Sequence, residues 1–301
     1  MPLTAPTAAL RALLSAGRLV RLPCAYDGLS ARLAQQAGFP AVAFSGNAVS
    51  ASLLGLPDLG VLGASDNIGH AGRIARGLAI PLLCDADTGY GGVINVVRTV
   101  QEFEAAGVAG IHLEDQVTPK RCGLLPQGIP VVSRDEAVRK IRAAVQARRD
   151  PRFVIVARTD AKSMHGLEEA AARARACIEA GADAAMVVGA NTPAELRYVA
   201  DVVRAPLAAV IQETPPTCEL TDADLEAAGC VFALHAAIAR CAVVGALRDA
   251  YGALRRDGHS AAVRARLGSP DEYHAALGLD EWLALEQRLL GPDDGGAAPT
   301  R

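Results

Sequence analysis

In the stretch CDADTGYGG, Asp85 and Asp87 stand two residues apart at the end of an apolar run. In a strand, residues i and i+2 point the same way, so both carboxylates can approach one point. Like charges that close are unfavourable unless a cation, a proton or arginines offset them. An all-oxygen pair with room for water suits a hard divalent ion, Mg²⁺ with Mn²⁺ as its substitute. Glu114, closing the run GIHLE, and Asp58 offer further oxygens. The plainer alternative for the aspartates is capping of the following helix. In HLEDQ the same alternation puts His112 beside Glu114. Glu114 suits a metal-bound water, and His112 is either a packing residue or a substrate contact. No His or Cys spacing matches a zinc site.

Arg158 leaves the apolar run FVIVARTD and needs an anionic partner, because an unpaired buried guanidinium is very unfavourable. A substrate carboxylate suits its planar fork, and the neighbouring acids are the structural alternative. Ser45, Gly46 and Asn47 form a small polar turn that can offer backbone N–H groups to an anion, or be a turn and nothing more. Cys122 and Gly123 lie between PKR and LLPQG. Lys120 and Arg121 there suit a thiolate or an anion, and the surrounding Pro and Gly suggest a loop that closes over a site. Cys84 inside a strand and Cys177 on a helix face read as packing. His235 closes the run CVFALH.

These groups need a scaffold that brings run ends together. Eight apolar runs recur, from RLVRLPCAYD to CVFALH, most followed by an Ala-rich helical segment. In LEEAAARARACIEAGAD, Leu167, Ala171, Ala174 and Ile178 share a face, and Gly181 suits the stop. Val96, Val100 and Phe103 do the same before Gly107. Strand-like runs alternating with helices predict a parallel sheet buried on both faces. Eight units predict a closed (β/α)8 barrel, an α/β TIM fold, over 1–256. An open doubly wound sheet is the alternative, but G-x-G-x-x-G after the first run is absent. In a barrel, catalytic groups sit at the C-terminal strand ends, where the polar residues above fall. Residues 257–290 predict a helical extension, with Leu277, Trp282, Leu285 and Leu289 at helical spacing. Residues 291–301, rich in Gly, Pro and Asp, predict a disordered tail.

The 301 residues carry a net charge of −3 with both signs interspersed. This argues against a nucleic-acid or anionic-membrane partner and for a small molecule. Arg11 and Arg18 interrupt any N-terminal signal core, and no apolar run reaches membrane-spanning length. Seven irregularly spaced cysteines predict reduced thiols in a cytoplasmic protein.

The assembled motifs resemble the isocitrate lyase and phosphoenolpyruvate mutase superfamily. They run from AYDGLSARLAQQAGFPAVAFSG through LGLPDLG, CDADTGYG, HLEDQVTPKRCG and ARTDA to GLDEWLALEQRL. PKRCG is similar to the branch that holds 2-methylisocitrate and dimethylmalate lyases. The resemblance implies a (β/α)8 barrel whose eighth helix is exchanged between subunits, in a homodimer or homotetramer. It implies Mg²⁺ near Asp85 and Asp87, with Asp58 and Glu114 in its water-linked shell. Ser45, Gly46 and Arg158 would hold a carboxylic-acid substrate, and Cys122 would protonate the carbanion left by C–C cleavage. Leu124, Ala43, Val187, Val188 and Val210 depart from the lyase pattern, where polar groups are usual, and Leu124, Val187, Val188 and Val210 predict a more apolar pocket wall. MVVGAN and ALHAA, with His235, look instead like the oxaloacetate decarboxylase branch. The expected activity is therefore a Mg²⁺-dependent lyase for a small 2-hydroxy or 2-oxo dicarboxylate. A 2-oxo-acid decarboxylase, a phosphonate enzyme and a metabolite-binding barrel without catalysis are the alternatives.

Overall fold

The computed structural model describes residues 5–121 and 128–291. Its core is a closed barrel of eight parallel strands in chain order. They are β1 (Val20–Ala25), β2 (Val42–Phe44), β3 (Leu82–Asp85), β4 (Gly110–Glu114), β5 (Val154–Thr159), β6 (Ala184–Val187), β7 (Leu207–Ile211) and β8 (Cys230–His235). β8 pairs back to β1, with Leu22 opposite Leu234. The (β/α)8 expectation holds, and closure removes every exposed sheet edge.

Short, fully buried strands follow from runs with no polar alternation, since one face lines the barrel and the other meets helices. Val20, Leu22, Leu83, Val154, Val156, Ala184, Met186, Ala208, Phe232 and Leu234 fill the inside. The outward residues Leu82, Ile111, Leu113, Ile155, Ala185, Val187, Ala209 and Ala233 pack with the surrounding helices. Helix α1 (Pro6–Leu14) presses Leu10 and Leu14 into the inner cluster. It closes the N-terminal end: a Cβ on Gly110, the first residue of β4, would sit 3.0 Å from Leu10 Cδ2.

The surrounding helices are α2 (Gly28–Gln36), α3 (Gly46–Leu54), α4 (Ala64–Arg76), α5 (Val93–Ala105), α6 (Arg134–Ala147), α7 (Lys162–Glu179), α8 (Pro193–Val203), α9 (Asp222–Ala227) and α10 (Ile238–Asp257). Val96, Val100 and Phe103 of α5 are buried as their spacing predicts. α7 begins earlier than its sequence pattern suggests and is broken at Gly166, whose φ of 81° lies in the left-handed region.

The chain forms two compact units, Met1–Val244 and Gly245–Arg301. The second holds the rest of α10, α11 (Pro270–Leu277) and α12 (Leu279–Leu290). Ser269 caps α11, its hydroxyl accepting from Glu272 N–H at 3.1 Å while Glu272 reaches back to Ser269 N–H. No residue of α12 is buried. Of the expected tail 291–301, all beyond Gly291 lies outside the described residues. Among the described residues, no helix is long and apolar enough to cross a membrane.

Candidate active site

At the C-terminal end of the barrel, strand alternation turns one residue per strand into a common mouth. A cavity of about 90 Å³ there is lined by Ser45, Asp85, His112 and Arg158 on the β2–β5 side. Met186, Val188, Val210 and Leu234 line the β6–β8 side. One side of the mouth is ionic, and the other is mostly apolar with Gln212 and Arg240 beside it.

The ionic half is tightly paired. Arg158 Nε lies 2.9 Å from Asp160 Oδ2, and its Nη2 3.0 Å from Glu114 Oε2. Its Nη1 is 4.0 Å from Asp85, too long for a hydrogen bond, and is the least engaged donor of the fork. Lys120 Nζ bridges Asp58 at 2.7 Å and Asp87 at 2.6 Å. Burial by itself would raise Asp85; His112, Lys120 and Arg158 outweigh it and hold Asp85 at about 2, a firm carboxylate. Burial, only partly offset by Lys120, pushes Asp87 up to about 6, with Asp85 adding repulsion. Glu114 is raised by burial beyond what Arg158 returns. His112 is lowered to about 4 by burial and is neutral at pH 7.

These side chains fit a divalent cation. Among the described residues, the cations paired with Asp58, Asp85, Asp87, Glu114 and Asp160 are Lys120 and Arg158. Both carboxylate oxygens of Glu114 are buried without a hydrogen bond. Oε2 still has its ion pair to Arg158 at 3.0 Å, and Oε1 is buried with no hydrogen-bond partner among the described residues. Among the described residues, no three His, Cys, Asp or Glu side chains converge as direct ligands. An ion would therefore take one or two carboxylates and complete its shell with water, as Mg²⁺ does.

Several expected residues land as the strand ends dictate. Ser45 is the N-cap of α3, its hydroxyl accepting from Ala48 N–H at 3.3 Å. Gly46 is required by close approach: a Cβ there would lie 2.8 Å from Asp85 Oδ2. Asn47 lines the cavity and accepts from Arg240 through its carboxamide oxygen. Asp85 and Asp87 do not cap a helix, since α5 starts only at Val93 after Gly92. Cys122, Gly123 and Leu124 lie outside the described residues.

Three expectations need correction. Strand alternation does not align Asp85 with Asp87: β3 ends at Asp85, and Asp87 reaches Lys120 through a left-handed turn with φ 48°. His235 is not a cavity residue. Leu234 points inward, so His235 points out, where Nε2 lies 2.8 Å from Arg21 Nη1 and Nδ1 3.3 Å from Glu213. Val187 likewise faces the helices, leaving Val188 and Val210 as the apolar wall.

Other residues escaped the sequence reading. Lys120 had been linked only to a thiolate or an anion, and no local pattern pairs it with Asp58. Gln212 was findable, because it follows Val210 by two at a strand end. Arg240 was not, since it stands in the first turn of α10 and enters the mouth only through the chain's closure.

The phosphoenolpyruvate phosphomutase family model matches residues 10–254, nearly the whole barrel. The chain belongs to this family. It is 38% identical over 279 residues to 2,3-dimethylmalate lyase of Eubacterium barkeri, covering 93% of this chain and 96% of that one. It is 42% identical over 259 residues to 2-methylisocitrate lyase of Salmonella typhimurium, covering 86% and 88%. Among solved structures, oxaloacetate acetylhydrolase bound to the inhibitor 3,3-difluorooxalacetate superposes with a TM-score of 0.89 at 34% identity, covering 96% of this chain and 98% of that one.

Proposed function

We propose that this protein is a Mg²⁺-dependent carbon–carbon lyase that cleaves a small 2-hydroxy or 2-oxo dicarboxylate through an enolate. The observation that carries this reading is the divided mouth, with a carboxylate-rich ionic side facing a mostly apolar one in one small cavity. Similarity to dimethylmalate and methylisocitrate lyases supports it. Asp85 and Asp87, with Asp58 and Glu114 in the water-linked shell, would hold Mg²⁺, or Mn²⁺ in its place. A bound divalent ion supplies charge stabilisation to a developing enolate oxygen.

The chain's own groups do the rest. Arg158, with Nη1 the least committed, receives the substrate carboxylate, and the Ser45–Asn47 turn holds the adjoining oxygens. Retro-aldol cleavage passes the C2 hydroxyl proton to water or a carboxylate of the ionic half, turns that C–O bond into C=O and breaks the C2–C3 bond, leaving a 2-oxo acid and a carbanion. Cys122 donates its thiol proton to that carbanion. The sequence context supports this role, as does Lys120, two residues earlier, which lines the cavity. The apolar wall fits a substrate bearing alkyl substituents and fewer carboxylates than a tricarboxylate.

A second reading, cleavage of a 2-oxo diacid by decarboxylation or hydrolysis, is favoured by one observation. Val188 and Val210 put no base on the wall where a substrate hydroxyl would need one, and oxaloacetate acetylhydrolase is a structural neighbour. A Mg²⁺-supported screen of 2-hydroxy and 2-oxo di- and tricarboxylates, with products identified by mass, tests both. A 2-oxo acid plus a simple carboxylic acid supports the lyase. Carbon dioxide, or oxalate, identifies the alternative, and no turnover on any acid refutes both.

We also propose exchange of the helix after β8 within a homodimer or homotetramer. Exposed Val244, Leu247, Tyr251 and Leu254 on α10, with Trp282 and Leu283 on α12, support it, because a lone chain leaves them in water. Light scattering after gel filtration tests this, and a monomer refutes it. The unpaired cysteines among the described residues fit a reducing compartment, and we place the protein in the cytoplasm.

A further inference from the structure

The turn that carries Asp87 runs against backbone preference. Between the end of β3 at Asp85 and the start of α5 at Val93, Asp87 has φ 48° and Tyr90 φ 58°, with Gly89 at 77° between them. Two residues with side chains thus sit in the left-handed region, a conformation that persists only where its surroundings over-determine it. Asp85, Asp87 and Thr88 are buried, so the carbonyls of this turn need donors from the protein.

Three helices supply them. The buried faces of α4, α5 and α6 are apolar except at one position each: Asn67, Thr99 and Lys140. All three side chains reach the same turn. Asn67 Nδ2 donates to the Asp85 carbonyl at 3.0 Å and also to the Tyr90 hydroxyl. Thr99 Oγ1 donates to the Gly89 carbonyl at 3.2 Å, and Lys140 Nζ to the Thr88 carbonyl at 3.2 Å. Lys140 is the least expected of them, since an apolar residue would suit a core position between Ala137 and Ala144. It is 4% exposed, and among the described residues no carboxylate lies close enough to pair with it. Burial pulls its pKa below the usual lysine range, by more than Glu136, Asp115 and Glu114 restore from farther off. A buried ammonium is unfavourable unless it is hydrogen-bonded, and its bond here is to the carbonyl that lies between Asp87 and Gly89.

We propose that Lys140, Thr99 and Asn67 are positioning residues that hold this turn in its left-handed course and so aim the Asp87 carboxylate. This rests on reading Asp85 and Asp87 as the holders of a divalent ion. None of the three lines the mouth cavity. They act from the helix layer through backbone carbonyls, which assigns part of the metal site's preorganisation to residues that never touch it.

Hydrogen exchange of the metal-free, full-length protein, read by mass spectrometry, reports on the turn without metal or turnover. Asp87 N–H donates to Asp85 Oδ1 at 3.0 Å and Gly89 N–H to the Ala86 carbonyl at 3.0 Å, so both amides are sensitive to its loosening. Lys140→Met keeps the stem and removes the donor. It should speed exchange of the 86–89 amides by about tenfold or more relative to those of β7, a ratio that a general loss of stability does not produce. Its Mg²⁺ affinity, measured by calorimetry, should fall by about 10- to 100-fold, the range for groups that orient a metal ligand. Thr99→Val, close in shape and lacking the donor, should shift both readouts the same way by a smaller factor, and it carries the test if Lys140→Met does not fold. An unchanged exchange ratio overturns the proposal, and so does a loosened turn with undiminished Mg²⁺ affinity. If the turn loosens but the wild type binds no Mg²⁺, the metal reading fails and the hold on the turn stands. If the wild type binds Mg²⁺ and neither variant alters the ratio, the positioning role alone fails.

Discussion

Replacing Asp87 by Asn should make the metal-free protein more stable at neutral pH, and the size of the effect should depend on pH. Asp87 is buried beside Asp85 and Asp58, with Lys120 as its one close cation among the described residues, and its pKa is pushed up from 3.8 to about 6. A raised folded-state value means that the folded protein keeps the proton longer than the unfolded chain does. The stability this group allows is fully present below about pH 4 and is lost as pH rises through about 6. The rise corresponds to about 3 kcal/mol once the group is fully ionised. Asn cannot ionise, so the stability of Asp87→Asn relative to wild type should improve by about 3 kcal/mol between pH 4 and pH 7.5. Taking this difference between pH values removes the fixed effect of swapping an oxygen for an amide. Urea unfolding of chelator-treated proteins at several pH values measures it. Saturating Mg²⁺ should restore the wild type by about 3 kcal/mol at a hundred times its dissociation constant, and restore the variant far less. A relative stability constant within 1 kcal/mol from pH 4 to 7.5, or one that falls, would refute the idea that Asp87 is a strained, cation-seeking carboxylate.

Cys122→Ser should lower turnover by a hundredfold or more, while the Mg²⁺-induced rise in unfolding midpoint stays intact; unchanged turnover removes the proton-donor role. Asp85→Ala should abolish both turnover and that Mg²⁺-induced rise, so activity surviving in this variant would sink the metal site. Phe232, fully buried in the barrel interior, should cost about 3–5 kcal/mol when cut to Ala. Urea unfolding at fixed pH checks this, and a loss below about 1 kcal/mol would show that the interior collapses around the gap.

The barrel was legible because its signal is local and repeated. Each strand is an uninterrupted apolar run ended by polar residues, and each helix carries its own face, as Val96, Val100 and Phe103 do. The ionic half of the mouth was legible for the same reason, since Asp85, Glu114 and Arg158 are themselves strand ends. Where the reading slipped, the slip was one of register. His235 and Val187 lie one residue out of phase with the inward Leu234 and Met186, and a run buried on both faces carries no alternation to reveal which residues look in. Asp87 was named as a site residue, but a left-handed turn, not strand alternation, aims it.

The sequence by itself therefore determined an eight-stranded α/β barrel with carboxylates and an arginine gathered at one end. Only the tertiary structure decided how those charges pair. Lys120 meets Asp58 across 62 residues and Arg240 meets Asn47 across 193. Closure of β8 onto β1 brings Arg240 to Asn47, and the side-by-side packing of β2, β3 and β4 brings Lys120 to Asp58; no local periodicity encodes either contact.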